Sequence, residues 1–273
     1  MTRILVRPPD TEDVPSWEAL GWRATPDPER LADEHARFRS ALTNAGAEVI
    51  EARGEPGNLD SIYVYDPVLV TPNGAILLQP GKDGRRSEPG ALAPDLPLPV
   101  LGRLEGDELA EGGDTVWLDE RTLLVGHTYR TNTAGIEALR RLLPEVEVLA
   151  FQLPHFHGRG EVLHLRSLLN PLTPELVVAY PPLMPVALVE LLEGRGIEMV
   201  EVPDEEFETM GPNVLGLPDG RALALAGNPV TRERLESAGV EVEEYAGDEI
   251  SRKGDGGPTC LTLPVDFGPT RSS

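Results

Sequence analysis

The sequence predicts an α/β fold built from about five strand–strand–helix–strand repeats. Two observations support this prediction. A helical stretch leads through a turn into a strand at several places along the chain, and pairs of apolar runs around a turn lie ahead of the helices. The strand recurs at intervals of roughly 40 to 50 residues, which is the period of a repeat architecture.

The helix–strand endings follow one another along the chain. The helix predicted at 28–44 leads into AGAEVIEA, and the helix at 133–143 leads into PEVEVLAF. The helix at 185–193 leads into RGIEMVEV, and the helix at 231–237 leads into AGVEVEEY. A weaker fifth copy, APDLPLPVLG at 93–102, lies in the gap after the first. Each copy is interpreted as a helix, a turn and a strand.

Hairpins are predicted ahead of these helices. Asn73 and Gly74 lie inside VYDPVLVTPNGAILLQP, and Asp219 and Gly220 lie inside NVLGLPDGRALALAG. DTVWLDERTLLVG and LLNPLTPELVVAY have the same form. Asn-Gly and Asp-Gly between apolar runs are strong hairpin signals. No low-complexity linker separates the copies, so we expect one domain over 1–273 whose units close into a ring; an open α/β sandwich is the alternative.

Composition excludes several classes of function. The chain has 46 acidic and 24 basic residues and a net charge of −22, so neither nucleic acid nor an anionic membrane is an expected partner. The start MTRILVRPPDTED lacks the apolar segment of a signal peptide, and no apolar run reaches about 20 residues, so a cytoplasmic location is expected. The single cysteine excludes an internal disulfide and leaves a free thiol.

Three motifs break the repeat pattern. EGGD at 111–114 lies just before the apolar run TVWL, and EVLHLRS at 161–167 places His164 inside an apolar alternation. GGPTCLT places Cys260 just ahead of the final run, LTLPV. A cysteine, a histidine and a carboxylate are the parts of a thiol nucleophile with its acid/base partner and an orienting acid. Taken singly, they could be an inert buried thiol, a core histidine on a strand and an acidic turn.

Taken together and in this order, the motifs resemble the guanidine-modifying superfamily of amidinotransferases, arginine deiminases and dimethylarginine dimethylaminohydrolases. The dimethylarginine branch is the most similar. The resemblance runs through IYVYDPVLVT, GRRSEPGAL, EGGDTVWLDERTLLVGHTYRTN, HLRS, VEVPDEEF and GGPTCLT. It implies a fivefold pseudosymmetric α/β propeller with its active site in a central narrow channel, and no cofactor or metal.

The resemblance implies three catalytic roles. Cys260 matches the nucleophile that attacks the guanidinium carbon and forms a thiouronium adduct. His164 matches the general acid that protonates the departing amine and then the base that activates water. Glu111 matches the carboxylate that orients and charges this histidine, whereas Asp114 is expected to hold the glycine turn or a neighbouring backbone amide. The nucleophile must be a thiolate, so the cationic substrate or protonated His164 must favour its ionisation.

Four further residues match the substrate-binding set of the family. Asp66 matches the acid that pairs with the guanidinium, and Asp60 matches a second pocket acid. Arg85 and Arg130 match the pair that clamps the substrate α-carboxylate. Arg86 is adjacent and could exchange roles with Arg85.

Two positions depart from the pattern of relatives. Arginine deiminases carry an acid where this chain has Arg166, which favours the dimethylarginine branch. Tyr65 stands where better-known dimethylarginine enzymes have an acid, so the surroundings of the methylated nitrogens should differ.

Two segments receive only a general interpretation. The segment 10–26 is interpreted as a mobile, Pro-rich loop that could act as a lid. PHFHGRG contains His155 and His157, but two histidines at this spacing without a third ligand are a weak metal signal, so we interpret it as a loop near the channel. His127 is a further histidine without an assigned role.

The expected function is therefore that of a cofactor-free amidine hydrolase. It would convert dimethylarginine or another N-substituted arginine to citrulline and an alkylamine through an adduct on Cys260. The same residues would serve a deiminase or an amidinotransferase acting on arginine or a related guanidine. A propeller that binds a cationic amino acid without catalysis is the alternative from another class. A homodimer is left open.

Overall fold

A computed structural model describes residues 2–53, 55–160 and 163–267. The described residues form five three-stranded sheets. Their strands are β1 Arg3–Val6, β2 Glu48–Glu51, β3 Val68–Thr71, β4 Gly74–Leu77, β5 Val100–Arg103, β6 Thr115–Asp119, β7 Thr122–His127, β8 Glu147–Gln152, β9 Leu169–Thr173, β10 Leu176–Ala179, β11 Glu198–Glu201, β12 Leu215–Leu217, β13 Arg221–Leu225, β14 Glu241–Tyr245 and β15 Leu263–Pro264.

Five of the six described α-helices connect strands within one unit, and the short helix between β11 and β12 joins two units. They are α1 Pro28–Asn44, α2 Glu88–Leu92, α3 Thr133–Leu142, α4 Val186–Gly194, α5 Asp204–Phe207 and α6 Pro229–Ser237. α1 begins where Asp27 accepts a hydrogen bond from the backbone N–H of Arg30, with Pro28 at its first position. The sequence predictions for α1, α3, α4 and α6 are confirmed within two residues at each end.

Four sheets follow the predicted order along the chain. An antiparallel hairpin comes first, and the strand after the helix then lies parallel to the second hairpin strand. In the β12–β13 turn, Asp219 and Gly220 have φ angles of 63° and 72°, as a tight hairpin turn requires. At Gly74, a Cβ atom would lie 2.4 Å from the carbonyl oxygen of Pro99, so only glycine fits there.

The fifth sheet joins the beginning and the end of the described chain. β2 lies parallel to β1, and β15 lies antiparallel to β1 on its other side. The first unit therefore takes its missing hairpin strand from the end of the sequence, which closes the ring. The inner strand β9 contacts the inner strands of both neighbouring units, β6 and β12. The predicted fivefold pseudosymmetric α/β propeller is confirmed, and the open sandwich is excluded.

The segment 10–26 differs from its prediction. Thr11–Ser16 form a 3-10 helix, and Val14, Leu20 and Trp22 are buried. The indole Nε1 of Trp22 donates a hydrogen bond to Asp60 Oδ1 at 2.7 Å. The segment is thus packed against the core rather than irregular along its length, and its mobility and its role as a lid stay predictions. No helix within the described ranges is long and apolar enough to cross a membrane.

We expect Phe38→Ala to lower the free energy of unfolding by about 3 to 5 kcal/mol. Phe38 is fully buried in α1 and meets the ring of Tyr245 edge to face at 4.8 Å, so its removal leaves a cavity between α1 and β14. Val186→Ala, at a side chain that is 73% exposed, is the control and should change the free energy of unfolding by less than about 0.5 kcal/mol. Equal denaturant midpoints for the two variants would contradict this packing.

Candidate active site

The predicted catalytic residues meet in one pocket. The segments that lead into the inner strands β3, β6, β9, β12 and β15 line a cavity of about 400 Å³ at one end of the ring. Cys260, His164 and Glu111 line this cavity, together with Asp66 and Asp60. Arg85 and Arg130 line it as well. The ring thus brings together all seven residues that the family resemblance selected.

A hydrogen bond joins the histidine to the predicted orienting acid. His164 Nε2 lies 3.0 Å from Glu111 Oε2, and Glu111 has no exposed surface. The other oxygen, Oε1, accepts hydrogen bonds from the backbone N–H of Lys82 and from Arg130 Nη1. Burial would raise the pKa of Glu111, but these partners hold it well below its usual range. Glu111 is therefore a buried anion.

The histidine carries a proton at neutral pH. Burial lowers the pKa of His164, but the nearby carboxylates of Asp114, Glu111 and Asp66 outweigh it and raise that pKa to about 9. His164 lies just before a 3-10 helix, Leu165–Ser167, and not on a strand, so the apolar alternation was misleading. Residues 161 and 162 of the same motif lie outside the described residues.

Asp114 supports the segment that carries the histidine. Its Oδ1 accepts a hydrogen bond from the backbone N–H of Leu165 at 3.2 Å, and its Oδ2 accepts one from Thr128 Oγ1 at 2.6 Å. Burial raises its pKa to about 6. The prediction that Asp114 holds a neighbouring backbone amide is confirmed.

The cysteine rests as a thiol. Burial and the charge of Asp66 raise the pKa of Cys260 to about 11. The side-chain N–H of Asn213 points to the sulfur at 3.6 Å, which favours the thiolate only in part. A further positive charge, such as a bound guanidinium, is needed to form the nucleophile near neutral pH.

Arg85 is held by acidic side chains. It makes two hydrogen bonds to Glu88, at 2.8 and 2.7 Å, and one to Asp66 at 2.5 Å. A fourth goes to the backbone carbonyl of Tyr63. In this arrangement Arg85 holds Asp66 at the pocket wall, and its predicted role in clamping the substrate α-carboxylate stays a prediction. Arg86 is exposed, pairs with Asp83 and does not line the pocket, so its proposed exchange with Arg85 is not supported.

Sequence reasoning missed three residues at the site. Lys82 pairs with Asp60, Glu88 pairs with Arg85, and Asn213 holds the loop of Cys260. Asn213 could have been found, because it lies just before β12, where the other units place their site residues before an inner strand. Lys82 and Glu88 have no such repeat signal.

The two departures from the family pattern contact each other. The guanidinium of Arg166 lies 4.2 Å from the centre of the Tyr65 ring, and its Nη2 donates a hydrogen bond to the Tyr65 hydroxyl. The tyrosine therefore partners the arginine.

The histidine-rich loop is close to the pocket, as predicted. Phe156, which lies between His155 and His157 in the sequence, lines the pocket. A hydrogen bond joins His155 Nδ1 to the hydroxyl of Tyr129, and His157 lies 3.9 Å from Glu208.

One group of described residues could offer three ligand atoms to a metal ion. Atoms of Asp66, Glu111 and His164 lie within 4.8 Å of one another. Arg85 and Arg130 already place positive charge on the two carboxylates. A cation would have to compete with these charges, so the set is better suited to holding protons.

Known proteins resemble this chain over most of its length. A family model described as "N,N dimethylarginine dimethylhydrolase, eukaryotic" matches residues 27–266. The N(G),N(G)-dimethylarginine dimethylaminohydrolase of Pseudomonas aeruginosa is 27% identical over 243 residues, covering 87% of this chain and 89% of that protein. The arginine deiminase of Mycoplasma capricolum is 29% identical over 194 residues, covering 58% of this chain and 47% of that protein.

Solved structures share the fold over nearly the full chain. The Pseudomonas aeruginosa enzyme, as a mutant complexed with citrulline, has a TM-score of 0.79 at 25% identity, covering 96% of this chain and 98% of that one. A dimethylarginine dimethylaminohydrolase adduct with S-methyl-L-thiocitrulline has a TM-score of 0.80 at 25% identity, covering 97% and 100%. The N-terminal domain of a cyanobacterial arginine dihydrolase has a TM-score of 0.81 at 22% identity, covering 97% of each chain, and shows the fold alone.

We expect Glu111→Gln to lower the pKa of His164 from about 9 toward its ordinary value of 6.5, because a neutral amide no longer favours the imidazolium. An NMR titration of the imidazole measures this directly. Glu108→Gln is the control, since Glu108 pairs with Arg141 outside the pocket. An unchanged His164 titration in folded Glu111→Gln would contradict the assignment.

We expect alkylation of Cys260 by iodoacetamide to accelerate about tenfold per pH unit from pH 7 to 9, because only the thiolate reacts. The raised pKa of about 11 places the plateau above this range. Mass spectrometry gives the rate without ambiguity, since the chain has one cysteine. A plateau below pH 8 would show that the resting residue is already a thiolate.

Proposed function

The chain belongs to the dimethylarginine dimethylaminohydrolase family, and on that premise we propose that it converts an N-methylated arginine to citrulline and an alkylamine. It is an arginine-modifying enzyme that hydrolyses carbon–nitrogen bonds of guanidino groups, as its named relatives do. The prediction of an enzyme is confirmed, and the non-catalytic propeller is set aside. The methylated substrate and the steps below are the proposal.

One observation supports this proposal. A protonated histidine, hydrogen-bonded to a buried carboxylate, shares a pocket with a thiol and with acids suited to a cation. Asp66 and Asp60 offer carboxylates to the planar guanidinium. Arg130, at the pocket wall, is suited to the substrate α-carboxylate, and Arg85 braces Asp66 beside it.

The first half of the reaction forms the adduct. Binding of the cationic guanidinium lowers the pKa of Cys260, and the thiol releases its proton to solvent. The thiolate attacks the guanidinium carbon and a carbon–sulfur bond forms. His164 gives its proton to the methylated nitrogen, the carbon–nitrogen bond breaks, and the alkylamine leaves. A thiouronium remains on Cys260.

The second half releases the product. His164 is now neutral and takes a proton from water, whose oxygen attacks the thiouronium carbon. The carbon–sulfur bond breaks, the thiolate returns to Cys260, and the remaining hydroxyl proton passes to solvent as the carbonyl of citrulline forms. When the cationic guanidinium is gone, Cys260 takes a proton back from solvent and is again a thiol. His164 thus ends the cycle protonated, as it began. Glu111 keeps the ring oriented in both steps.

Three further expectations belong to this proposal. A single domain over 1–273 is supported by the sheet that joins β1 and β15. The need for no cofactor is supported by a reaction that the named side chains complete with water alone. The substrate is proposed as the small-molecule partner; a homodimer and a cytoplasmic location stay predictions.

Hydrolysis of free arginine is the second candidate, since arginine deiminases are among the relatives. Arg166 argues against it. Where deiminases carry an acid two residues after the histidine, this chain places a positive charge fixed against Tyr65. A second acid for an unsubstituted guanidinium is therefore missing at that position.

We expect purified protein to release citrulline from dimethylarginine and monomethylarginine much faster than from arginine. Cys260→Ser should lower the rate by at least about 10³-fold, because the hydroxyl cannot replace the thiolate. Citrulline binding to the same variant, measured by calorimetry, controls for its folding. Faster turnover of arginine would assign the deiminase reaction instead.

A further inference from the structure

The ring contains a second cavity on the far side of the active-site pocket. Its volume is about 540 Å³, and the bodies and far ends of the inner strands line it. Val70, Leu118, Leu172, Leu217 and Leu263 come one from each of β3, β6, β9, β12 and β15. The active-site pocket is lined by the segments that lead into the same five strands. The two cavities therefore lie along one channel.

Arg166 lines both cavities, and Tyr65 lines the second. The two side chains are stacked at 4.2 Å and joined by a hydrogen bond of 2.5 Å. Tyr65 directly precedes Asp66 in the chain, and Arg166 follows closely after His164. The stacked pair therefore stands at the inner end of the pocket, beside the residues that would hold and protonate the guanidinium.

The pair is fixed from several units of the ring. Arg166 Nε donates to the backbone carbonyl of Thr115 at 3.2 Å, and its Nη1 donates to Asn170 Oδ1 at 2.9 Å. The backbone N–H of Tyr65 donates to the carbonyl of Cys260 at 3.3 Å. Because a guanidinium held by hydrogen bonds and stacking has little conformational freedom, the Tyr65–Arg166 pair is rigid.

Building on the proposed function, we propose that the Tyr65–Arg166 pair is a partition that limits the size of the substituent on the guanidinium nitrogen. The space behind it is lined by the rings of Trp117 and Phe267 and by an aliphatic side chain from each inner strand, beside carboxylates such as Asp119 and Asp266. These apolar side chains would accept alkyl groups if the space were open to the pocket. Its present closure restricts substrates to those with small substituents. The partition is thus a specificity determinant that acts by blocking space.

The test compares N-methyl-, N-propyl- and N-butylarginine by kcat/KM. Tyr65→Ala removes the ring and should raise the butyl-to-methyl ratio by about tenfold or more, since each methylene admitted to an apolar pocket favours binding. Arg166→Ala opens the partition from the other side and should raise the same ratio. Tyr65→Phe keeps the ring and should leave the ratio within about twofold.

Trp117→Ala is the matched control. It enlarges the second cavity without breaking the partition, so the ratio should not change. An unchanged ratio in both Tyr65→Ala and Arg166→Ala, with thermal unfolding showing folded protein, would overturn the proposal. So would an equal rise in Trp117→Ala.

A second measurement tests the partition without relying on the proposed reaction. Alkylation of Cys260 by iodoacetamide and by its N-butyl derivative compares small and long reagents without turnover. The partition predicts that Tyr65→Ala raises the relative rate of the long reagent, whereas Trp117→Ala does not. If the natural sequence turns over no guanidine, the proposed function fails, and this ratio still decides on the partition.

Discussion

The buried charge of Glu111 is the constraint on which the site depends. A carboxylate without water must be paired, and His164, Arg130 and the Lys82 backbone N–H meet this need. The glycines of the motif allow the approach: a Cβ atom on Gly113 would lie 2.5 Å from His164 Nδ1. The EGGD motif thus has two roles: Glu111 favours the protonated form of the histidine, and Gly113 leaves space for its ring.

The distribution of protons follows from the same acids. Carboxylates that suit a guanidinium also favour the imidazolium of His164 and disfavour the thiolate of Cys260. An acid and an un-ionised nucleophile therefore coexist until a cation arrives. In the proposed reaction, the substrate's positive charge would offset the charge of Asp66 at the sulfur, so binding of the guanidinium would itself favour the thiolate that attacks it. A neutral analogue would lack this effect, which gives the pocket a preference for cations beyond simple binding.

The sequence predicted what depends on local pattern and missed what depends on distant packing. Short stretches of sequence determine hairpin turns such as Asp219-Gly220 and show the order of the repeats, so the fold could be predicted. The candidate catalytic residues were found because their motifs resemble a family. Trp22 bonds to Asp60, which is remote in sequence, and the pairing of Arg166 with Tyr65 depends on how two units of the ring meet. Neither contact produces a periodic pattern in the sequence from which it could be predicted.

The closure of the ring places Cys260, the proposed nucleophile. Cys260 lies just before β15, the strand that pairs with β1 across the ends of the described chain. Its loop is fixed to other units, because its carbonyl accepts from Tyr65 and Thr259 donates to Asn213 Oδ1 at 2.9 Å. An open chain would have Glu111 and His164 in adjacent units but would hold the thiol away from them. The last strand therefore couples the completion of the fold to the assembly of the site, and the thiol meets its partners only when the propeller is closed.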